Sequence, residues 1–179
     1  MFIPLIQKRR SIRKFSDKPV EPEKIDQLVE AALLSPSSRG FNPWSFIVVT
    51  DRGMLEKLSK AKLHGSAFLK NAPLGIVVCA DSEKSDVWIE DASIATIFIH
   101  LAAASIGLGS CWIQIRERMQ SETKTSQSYI EEVLGIPSNI QVLAMIGVGY
   151  PAEEKSPHKI GDSEYEKVRL NTFKNPYKR

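Results

Sequence analysis

The sequence predicts an α+β fold in which helices pack on a central sheet of about four strands. Four short apolar runs rich in β-branched residues are typical of buried strands, and stretches with helical periodicity separate them. The length of 179 residues suits one domain that buries its own core. No internal repeat and no linker divides the chain, so we expect residues 1–179 to form a single domain.

The first half of the chain alternates helical and strand patterns. A short first helix is expected to deliver the arginines that follow it. Pro22 suits the first turn of a second helix, an apolar stripe at helical spacing continues it, and Pro36 stops it. The predicted elements are helices over residues 4–10, 22–34 and 52–62, and strands over residues 46–50 and 74–80.

The second half contains a long helix that is apolar on nearly all sides. Such a helix is buried in a core or in a subunit interface. The polar tail from Ala152 onward suits a segment that wraps over a neighbour, so both features point to a dimer. The predicted elements are helices over residues 87–106 and 129–134, strands over residues 110–114 and 141–149, and a helical piece near residues 164–170.

Composition and charge narrow the function classes. The net charge of +3 is too small to argue for nucleic acid, and the longest apolar-rich segment, residues 94–108, is too short and too polar to span a bilayer. Cys79 and Cys111 each lie in an apolar stretch, which is typical of reduced thiols in a cytosolic protein. The histidines show no metal-ligand spacing. We therefore expect a cytoplasmic protein with no metal site, membrane segment or signal peptide.

The basic run Lys8–Phe15 contains five cations and one hydroxyl. Such a run is either a solvated charged face or a place that binds a dense anion. Arginine forks and a hydroxyl suit a phosphate, because several charge-assisted hydrogen bonds can converge on one group. The run by itself leaves both interpretations open.

Three loops are expected at comparable places relative to the sheet. Residues 9–13 offer cations, residues 37–44 offer amides, hydroxyls and an indole, and residues 112–116 end a strand with mixed polarity. Together they could hold an elongated ligand with an anionic end and a planar aromatic end. No serine or cysteine lies at a spacing from a histidine that would indicate a nucleophile and its base. The acids Glu90 and Asp91 are expected only to stabilise the positively charged N-terminal end of the long helix.

Five motifs follow one another along the chain: Arg9-Arg10-Ser11-Ile12-Arg13-Lys14-Phe15, Ser35-Pro36-Ser37-Ser38, Asn42-Pro43-Trp44, Gly107-Leu108-Gly109-Ser110-Cys111-Trp112 and Gly147-Val148-Gly149-Tyr150-Pro151. In this order and spacing they resemble the nitroreductase family of FMN-dependent oxidoreductases, over residues 2 to about 160. A lone basic run is weak evidence for a family, whereas five ordered motifs are specific.

The resemblance implies an α+β homodimer whose mostly antiparallel sheet of four to five strands is flanked by helices, with FMN at the subunit interface. NADH or NADPH would reduce the flavin, and a nitroaromatic, quinone or similar acceptor would then be reduced in the same pocket by a ping-pong mechanism. Hydride chemistry belongs to the flavin, so no protein residue is expected to be catalytic. The alternatives are a flavin-binding or flavin-delivering protein with little turnover, and a nucleic-acid patch at residues 8–18.

The resemblance also implies which residues bind the phosphate end of FMN. The residues that would hold the phosphate and the ribityl chain are Arg9, Arg10, Ser11 and Arg13. A basic residue near the C-terminus would close the phosphate site. The candidates for that role are Lys155, His158 and Lys159.

At the ring end, the resemblance implies contacts from the partner subunit. The residues that would lie against the isoalloxazine are Pro36, Ser37 and Ser38. Gly40 stands where many family members carry an asparagine that bonds the ring, and Asn42, where relatives often carry glutamine, is the expected substitute. Gln114 and Ile115 match the strand-end loop that passes near the flavin N5 edge.

Overall fold

Five α-helices and four β-strands follow one another along the computed structural model, which describes residues 1–159 and 165–177. The helices are α1 (Phe2–Lys8), α2 (Pro22–Leu33), α3 (Arg52–Ser59), α4 (Trp88–Ser105) and α5 (Ser126–Leu134). The strands are β1 (Trp44–Val49), β2 (Leu74–Asp81), β3 (Gly109–Gln114) and β4 (Ile140–Gly149). The predicted order of helices and strands up to β4 is therefore confirmed.

The four strands form one sheet in the order β1-β2-β4-β3, and every pairing is antiparallel. The central strands β2 and β4 are buried over most of their length, because helices cover both faces of the sheet. Their sequences are therefore nearly continuous apolar runs and not alternating ones. The predicted α+β class with a mostly antiparallel sheet is confirmed, with four strands.

Separate apolar clusters lie on the two faces of the sheet. On β2, Ile76 and Val78 belong to the cluster beneath α2 and α4, whereas Val77 and Cys79 belong to the cluster beneath α3 and α5. Successive side chains of a strand point to opposite faces, which explains the division. Cys79 and Cys111 are buried free thiols, as predicted, and burial raises the pKa of Cys79 to about 12.

One side of α4 is left without a cover by the described part of the chain. The side that faces the sheet and α2 is buried. On the opposite side, Ile94, Phe98 and Leu101 are half-buried and Ile97 is 43% exposed. These four residues form one stripe, because positions three and four apart are neighbours on a helix. We call them the α4 stripe.

The segment after α1 is extended, not helical. The predicted helix over residues 4–10 is wrong at its end, since α1 stops at Lys8. Beyond it, the backbone pairs with the edge of the sheet: Ile12 N donates a hydrogen bond to Ser110 O at 3.0 Å, and Ser11 forms a parallel bridge with Ser110. The C-terminal end of α1 therefore positions Arg9, whose N–H donates to Leu5 O, as expected. Pairing with the start of β3 positions the arginines that follow.

Two further predictions differ in their boundaries. Helix α5 begins at Ser126 instead of residue 129, because the Thr125 side chain caps the helix by accepting a hydrogen bond from its first turn. The helical piece expected near residues 164–170 is a single 3-10 turn, Tyr165–Lys167, and residue 164 lies outside the described residues.

Candidate cofactor-binding site

A cavity of about 380 Å³ lies between the C-terminal end of α4, the start of β3 and the segment that follows β4. Its charged lining consists of four cations and two carboxylates: Lys8, Arg9, Arg10, Lys155, Glu153 and Glu154. Gly109 lines it too, and a Cβ there would lie 2.8 Å from the Ile12 Cβ, so only glycine permits this close approach. We call residues 8–13 and 151–157, with Ser110, the basic corner.

The segment after β4 holds the basic corner together through polar contacts with residues far away in sequence. Glu153 Oε1 accepts hydrogen bonds from Arg13 N at 2.6 Å and Lys14 N at 3.1 Å. These N–H groups hold the pKa of Glu153 below its usual range. Lys155 Nζ donates to Ser11 O at 2.7 Å and lies 3.6 Å from Glu153 Oε1. The two segments therefore fix each other.

The donors in the cavity suit a phosphate. Arg10 donates through Nη1 to Ser156 O. Within the described residues, the side chain of Arg9 makes no hydrogen bond or ion pair, so its guanidinium is available to a ligand. Two guanidinium groups and two ammonium groups around one cavity match the fork geometry and charge that phosphate oxygens require, and the residues therefore fit the phosphate end of FMN.

The other two predicted phosphate-binding residues lie beside the cavity without lining it. The side chain of Arg13 is exposed. The Ser11 hydroxyl contacts the Cys111 thiol, and the Ser11 carbonyl is occupied by Lys155. Among the three C-terminal candidates, Lys155 lines the cavity, whereas His158 and Lys159 are exposed.

A buried histidine that the sequence did not single out lies behind the basic corner. His100 of α4 is 5% exposed, its Nδ1 is hydrogen-bonded to Ser110 Oγ at 2.6 Å, and its ring stacks on Trp112 with centroids 6.5 Å apart. Burial, together with the positive charge of Arg9, lowers the pKa of His100 to about 4. His100 is therefore neutral near pH 7, and it ties α4 to the strand that carries the basic segment.

The second predicted cluster is the loop between α2 and β1, residues 36–42, which we call the serine loop. Ser37 Oγ donates to Asn42 Oδ1 at 2.7 Å and accepts from Asn42 N at 3.0 Å, which closes the loop. Arg39, Gly40 and Asn42 all have positive φ, at 53°, 68° and 46°. The loop thus presents its polar groups from a backbone of unusual conformation.

Asp91 anchors the serine loop to α4. Its carboxylate is 2% exposed, and it accepts hydrogen bonds from Ser38 N and from Ser85 Oγ, both at 2.8 Å. The sequence assigned Asp91 only to the positive end of the helix, where it does lie. The additional contact with Ser38 could not be read from the sequence, since 53 residues separate the two.

The third loop follows β3. Trp112 Nε1 donates to Gln114 Oε1 at 3.0 Å, and Gln114 Nε2 donates to Arg116 O at 3.0 Å, so the Gln114 amide is oriented by its own neighbours. The side chain of Ile115 is fully buried, and its N–H donates to Leu143 O at 3.1 Å. A ligand at this edge would therefore meet backbone at Ile115 and not its side chain.

The basic corner and the serine loop lie at diagonally opposite corners of the sheet. Trp44, at the end of the serine loop, pairs with Ala80 and through it with Gln141, whereas Ser110 pairs with Val148. The stretch of β4 between those pairs is about 24 Å long, and three strand spacings add about 14 Å across the sheet. The expectation that the loops lie at comparable places is therefore wrong within one chain.

Comparison with known families agrees with the motifs and the fold. The model of the family described as "Nitroreductase family" matches residues 6–65 and 54–150. The chain belongs to the nitroreductase family. That assignment confirms the resemblance seen in the sequence.

Individual relatives support the same assignment. A putative NADH dehydrogenase/NAD(P)H nitroreductase of Archaeoglobus fulgidus is 42% identical over 89% of this chain and 91% of its own length. A solved FMN-dependent nitroreductase from Clostridium difficile R20291 is 51% identical, covers 96% of this chain and 99% of its own, and superposes with a TM-score of 0.94. The NADPH:FMN oxidoreductase of Vibrio harveyi, solved with NAD+, is 26% identical, covers 97% and 78%, and has a TM-score of 0.81.

None of the helices in residues 1–159 and 165–177 is both long and apolar enough to cross a bilayer. The same residues contain no cluster of histidine, cysteine and carboxylate side chains able to hold a metal ion.

Proposed function

We propose that this chain is an FMN-dependent NAD(P)H oxidoreductase that acts as a homodimer, each subunit contributing one nitroreductase-like domain of residues 1–179. The enzyme class follows from family membership and from relatives named as NAD(P)H nitroreductases and FMN reductases. The observation that carries the proposal for this chain is the contrast between two corners of the sheet: a cavity lined by four cations at one, and a hydrogen-bonding loop with a single cation, Arg39, at the other.

The basic corner would bind the phosphate of FMN. Arg9, Arg10 and Lys155 supply positive charge in the cavity, and the half-buried position of Lys155 reduces its screening by solvent. Ser11 and Arg13 would approach the ribityl chain from the adjoining extended segment. Lys155 is our choice for the cation that closes the site, and Lys159 would play no part in it.

The serine loop of the partner subunit would bind the ring. When bound, FMN supplies the redox chemistry by accepting a hydride equivalent from NADH or NADPH and passing electrons to a second substrate. The residues proposed to face the ring are Pro36, Ser37, Ser38, Gly40 and Asn42. The Asn42 side chain uses its oxygen on Ser37, which leaves its N–H donors to hydrogen-bond a flavin oxygen or nitrogen.

The separation of the two corners supports the dimer. A second copy related by a two-fold axis could bring its serine loop to the first copy's basic corner, which one chain cannot do for itself. The uncovered α4 stripe suits such a contact, since Ile97 and its neighbours expose apolar surface along a central helix. The described tail, residues 165–177, is also exposed and carries apolar side chains, Phe173 among them.

The second substrate would be a planar acceptor such as a nitroaromatic compound or a quinone, reduced in a ping-pong cycle. Phe41 on the serine loop is 45% exposed, and the Arg39 guanidinium lies 5.7 Å from its ring centroid. An exposed ring with a cation beside it suits stacking against a flat, electron-poor molecule.

Purified protein incubated with FMN and freed of excess flavin tests the proposal. We expect a yellow protein whose flavin absorbance bleaches on anaerobic addition of NADH or NADPH faster than free FMN does, and returns on addition of a nitroaromatic or quinone. A protein that does not retain FMN would overturn the proposal. Retained FMN that is reduced no faster than free flavin would support the flavin-delivering alternative instead.

A further inference from the structure

We propose that Asp91 is a positioning residue that holds the serine loop in the conformation needed at the flavin ring, an inference that rests on the proposed function. Its carboxylate is 2% exposed and spends one oxygen on each of two donors, Ser38 N and Ser85 Oγ. Ser85 is itself 2% exposed, so its hydrogen bond to Asp91 is shielded from water.

Breaking the hydrogen bond between Asp91 and Ser38 would cost free energy, because the carboxylate is buried. An ionised carboxylate that leaves water costs several kcal/mol unless hydrogen bonds or a counter-charge compensate it. In the described part of the chain no cation forms an ion pair with Asp91, so its compensation comes from the two donors and from the N-terminal end of α4. If Ser38 moved away, a buried charge would lose one of its two hydrogen bonds.

The loop needs such an anchor, because its backbone is strained directly after Ser38. Arg39 and Asn42 occupy positive φ, which costs a non-glycine residue about 1 kcal/mol or more each. Such conformations persist only when surrounding contacts hold them. Asp91 fixes the start of the strained stretch through Ser38 N, and Ser37 fixes its end through Asn42.

Different groups of the serine loop would therefore hold its conformation and bind the flavin. The Ser38 N–H is used internally by Asp91, so the loop offers the flavin its remaining groups, chiefly the Asn42 amide. Asp91 itself faces Ser38 and Ser85 and would not touch the ring. Its removal should therefore change the geometry of ring binding while the basic corner stays intact.

Three variants and one control test the inference. Asp91→Ala removes both acceptors, Asp91→Asn keeps one oxygen for Ser38 N, and Ser85→Ala removes one donor while leaving the carboxylate on Ser38. Glu90→Gln is the matched control, because Glu90 is the neighbouring acid in the same helical turn and is exposed. The readouts are amide hydrogen exchange across residues 36–42 without flavin, FMN affinity, and the visible circular dichroism of bound FMN.

For Asp91→Ala we expect exchange in the loop to rise about tenfold or more, which matches the loss of one hydrogen bond to a charged group, and FMN affinity to fall by a similar factor. Asp91→Asn should recover most of both effects, Ser85→Ala should show a smaller loss, and Glu90→Gln should match the native protein. If Asp91→Ala unfolds the protein, Ser85→Ala decides the question by the same exchange measurement.

Unchanged exchange in the loop of a folded Asp91→Ala or Ser85→Ala protein would overturn the inference, as would an equal effect from Glu90→Gln. Loosened exchange with unchanged FMN affinity and dichroism would overturn it as well, since the loop would then be held for some purpose other than the ring. Native protein that does not bind FMN overturns the proposed function separately, before any variant is compared.

Discussion

The basic corner and the serine loop differ in their charge and in the contacts that hold them in place. The basic corner gathers charge, and contacts between segments some 140 residues apart hold it together, such as the bond from Arg13 N to Glu153. The serine loop carries little charge, and it is held by short-range hydrogen bonds and by the buried carboxylate of Asp91. In the proposed homodimer, the basic corner would be complete within one chain, whereas the serine loop would face a flavin held by the partner subunit.

Because of this difference, the two regions should respond differently to added salt. Phosphate binding at the basic corner would be electrostatic, so added salt should weaken it by screening. Ring binding at the serine loop would depend on backbone shape and on hydrogen bonds to neutral groups, so salt should matter little there.

The largest effect is expected from Ile97→Asp in the α4 stripe. A carboxylate on this apolar surface would have to be desolvated at the proposed subunit interface, which costs several kcal/mol. Light scattering after size-exclusion chromatography should show a mass halved to that of one chain, and FMN should no longer be retained. Ile97→Leu keeps the apolar surface and should remain dimeric. A dimer that persists in Ile97→Asp with FMN bound would place the interface elsewhere.

The next largest effect concerns the support of the basic corner by His100. The folded pKa of about 4 lies below the usual 6.5, so between these values the unfolded chain binds a proton that the folded chain does not. The contribution of His100 to the free energy of unfolding is therefore complete above pH 6.5. It is lost as the pH is lowered toward 4, by roughly 3 kcal/mol at most.

Urea unfolding of the flavin-free protein at several pH values measures this dependence. His100→Asn keeps a polar partner for Ser110 Oγ and should flatten the curve between pH 6.5 and 4. The exposed His158→Asn serves as the control and should leave the curve unchanged. An equally steep curve in His100→Asn would assign the pH dependence to other groups.

A smaller effect is expected from single cations of the basic corner. Arg9→Ala removes from the cavity a guanidinium that has no hydrogen bond or ion pair within the described residues. We expect the Kd for FMN to rise about 10- to 100-fold, with a weaker dependence on salt. Arg13→Ala should cost less, because that side chain is exposed outside the cavity. Fluorescence titration of FMN against each variant gives the two Kd values. A larger loss of affinity in Arg13→Ala would indicate that the phosphate binds nearer to Arg13, outside the cavity.

The smallest effect is expected at Gly40 of the serine loop. Gly40 has φ of 68° with nothing within 4 Å of a Cβ placed there, so a side chain fits in space and only the backbone resists it. Gly40→Asn restores an amide at the position where many family members carry one, and asparagine tolerates positive φ better than alanine does. FMN should bind a few-fold more tightly to Gly40→Asn than to Gly40→Ala. Equal affinities would remove Gly40 from the ring contact.

Much of this protein could be predicted from local patterns. Apolar runs identified the four strands, most clearly β2 and β4, which are buried on both sides, and ordered motifs identified the family. The course of the chain after α1 could not be predicted from its local pattern, since the pairing of Ile12 with Ser110 depends on a strand far away in sequence. Asp91 did not stand out for the same reason, since its partner Ser38 is 53 residues away. His100 did not stand out because its contact with Ser110 arises only when α4 packs on β3.

The sequence by itself determined the class of fold, the order of its elements, the family, and the chemistry available at each motif, because these follow from side-chain type and short-range spacing. Only the tertiary structure decided that the cationic motif and the serine loop lie at opposite corners of the sheet, that Lys155 and not Lys159 lines the cavity, and that a buried acid anchors the loop. Those facts depend on strand order and on contacts across the chain, which no local pattern encodes.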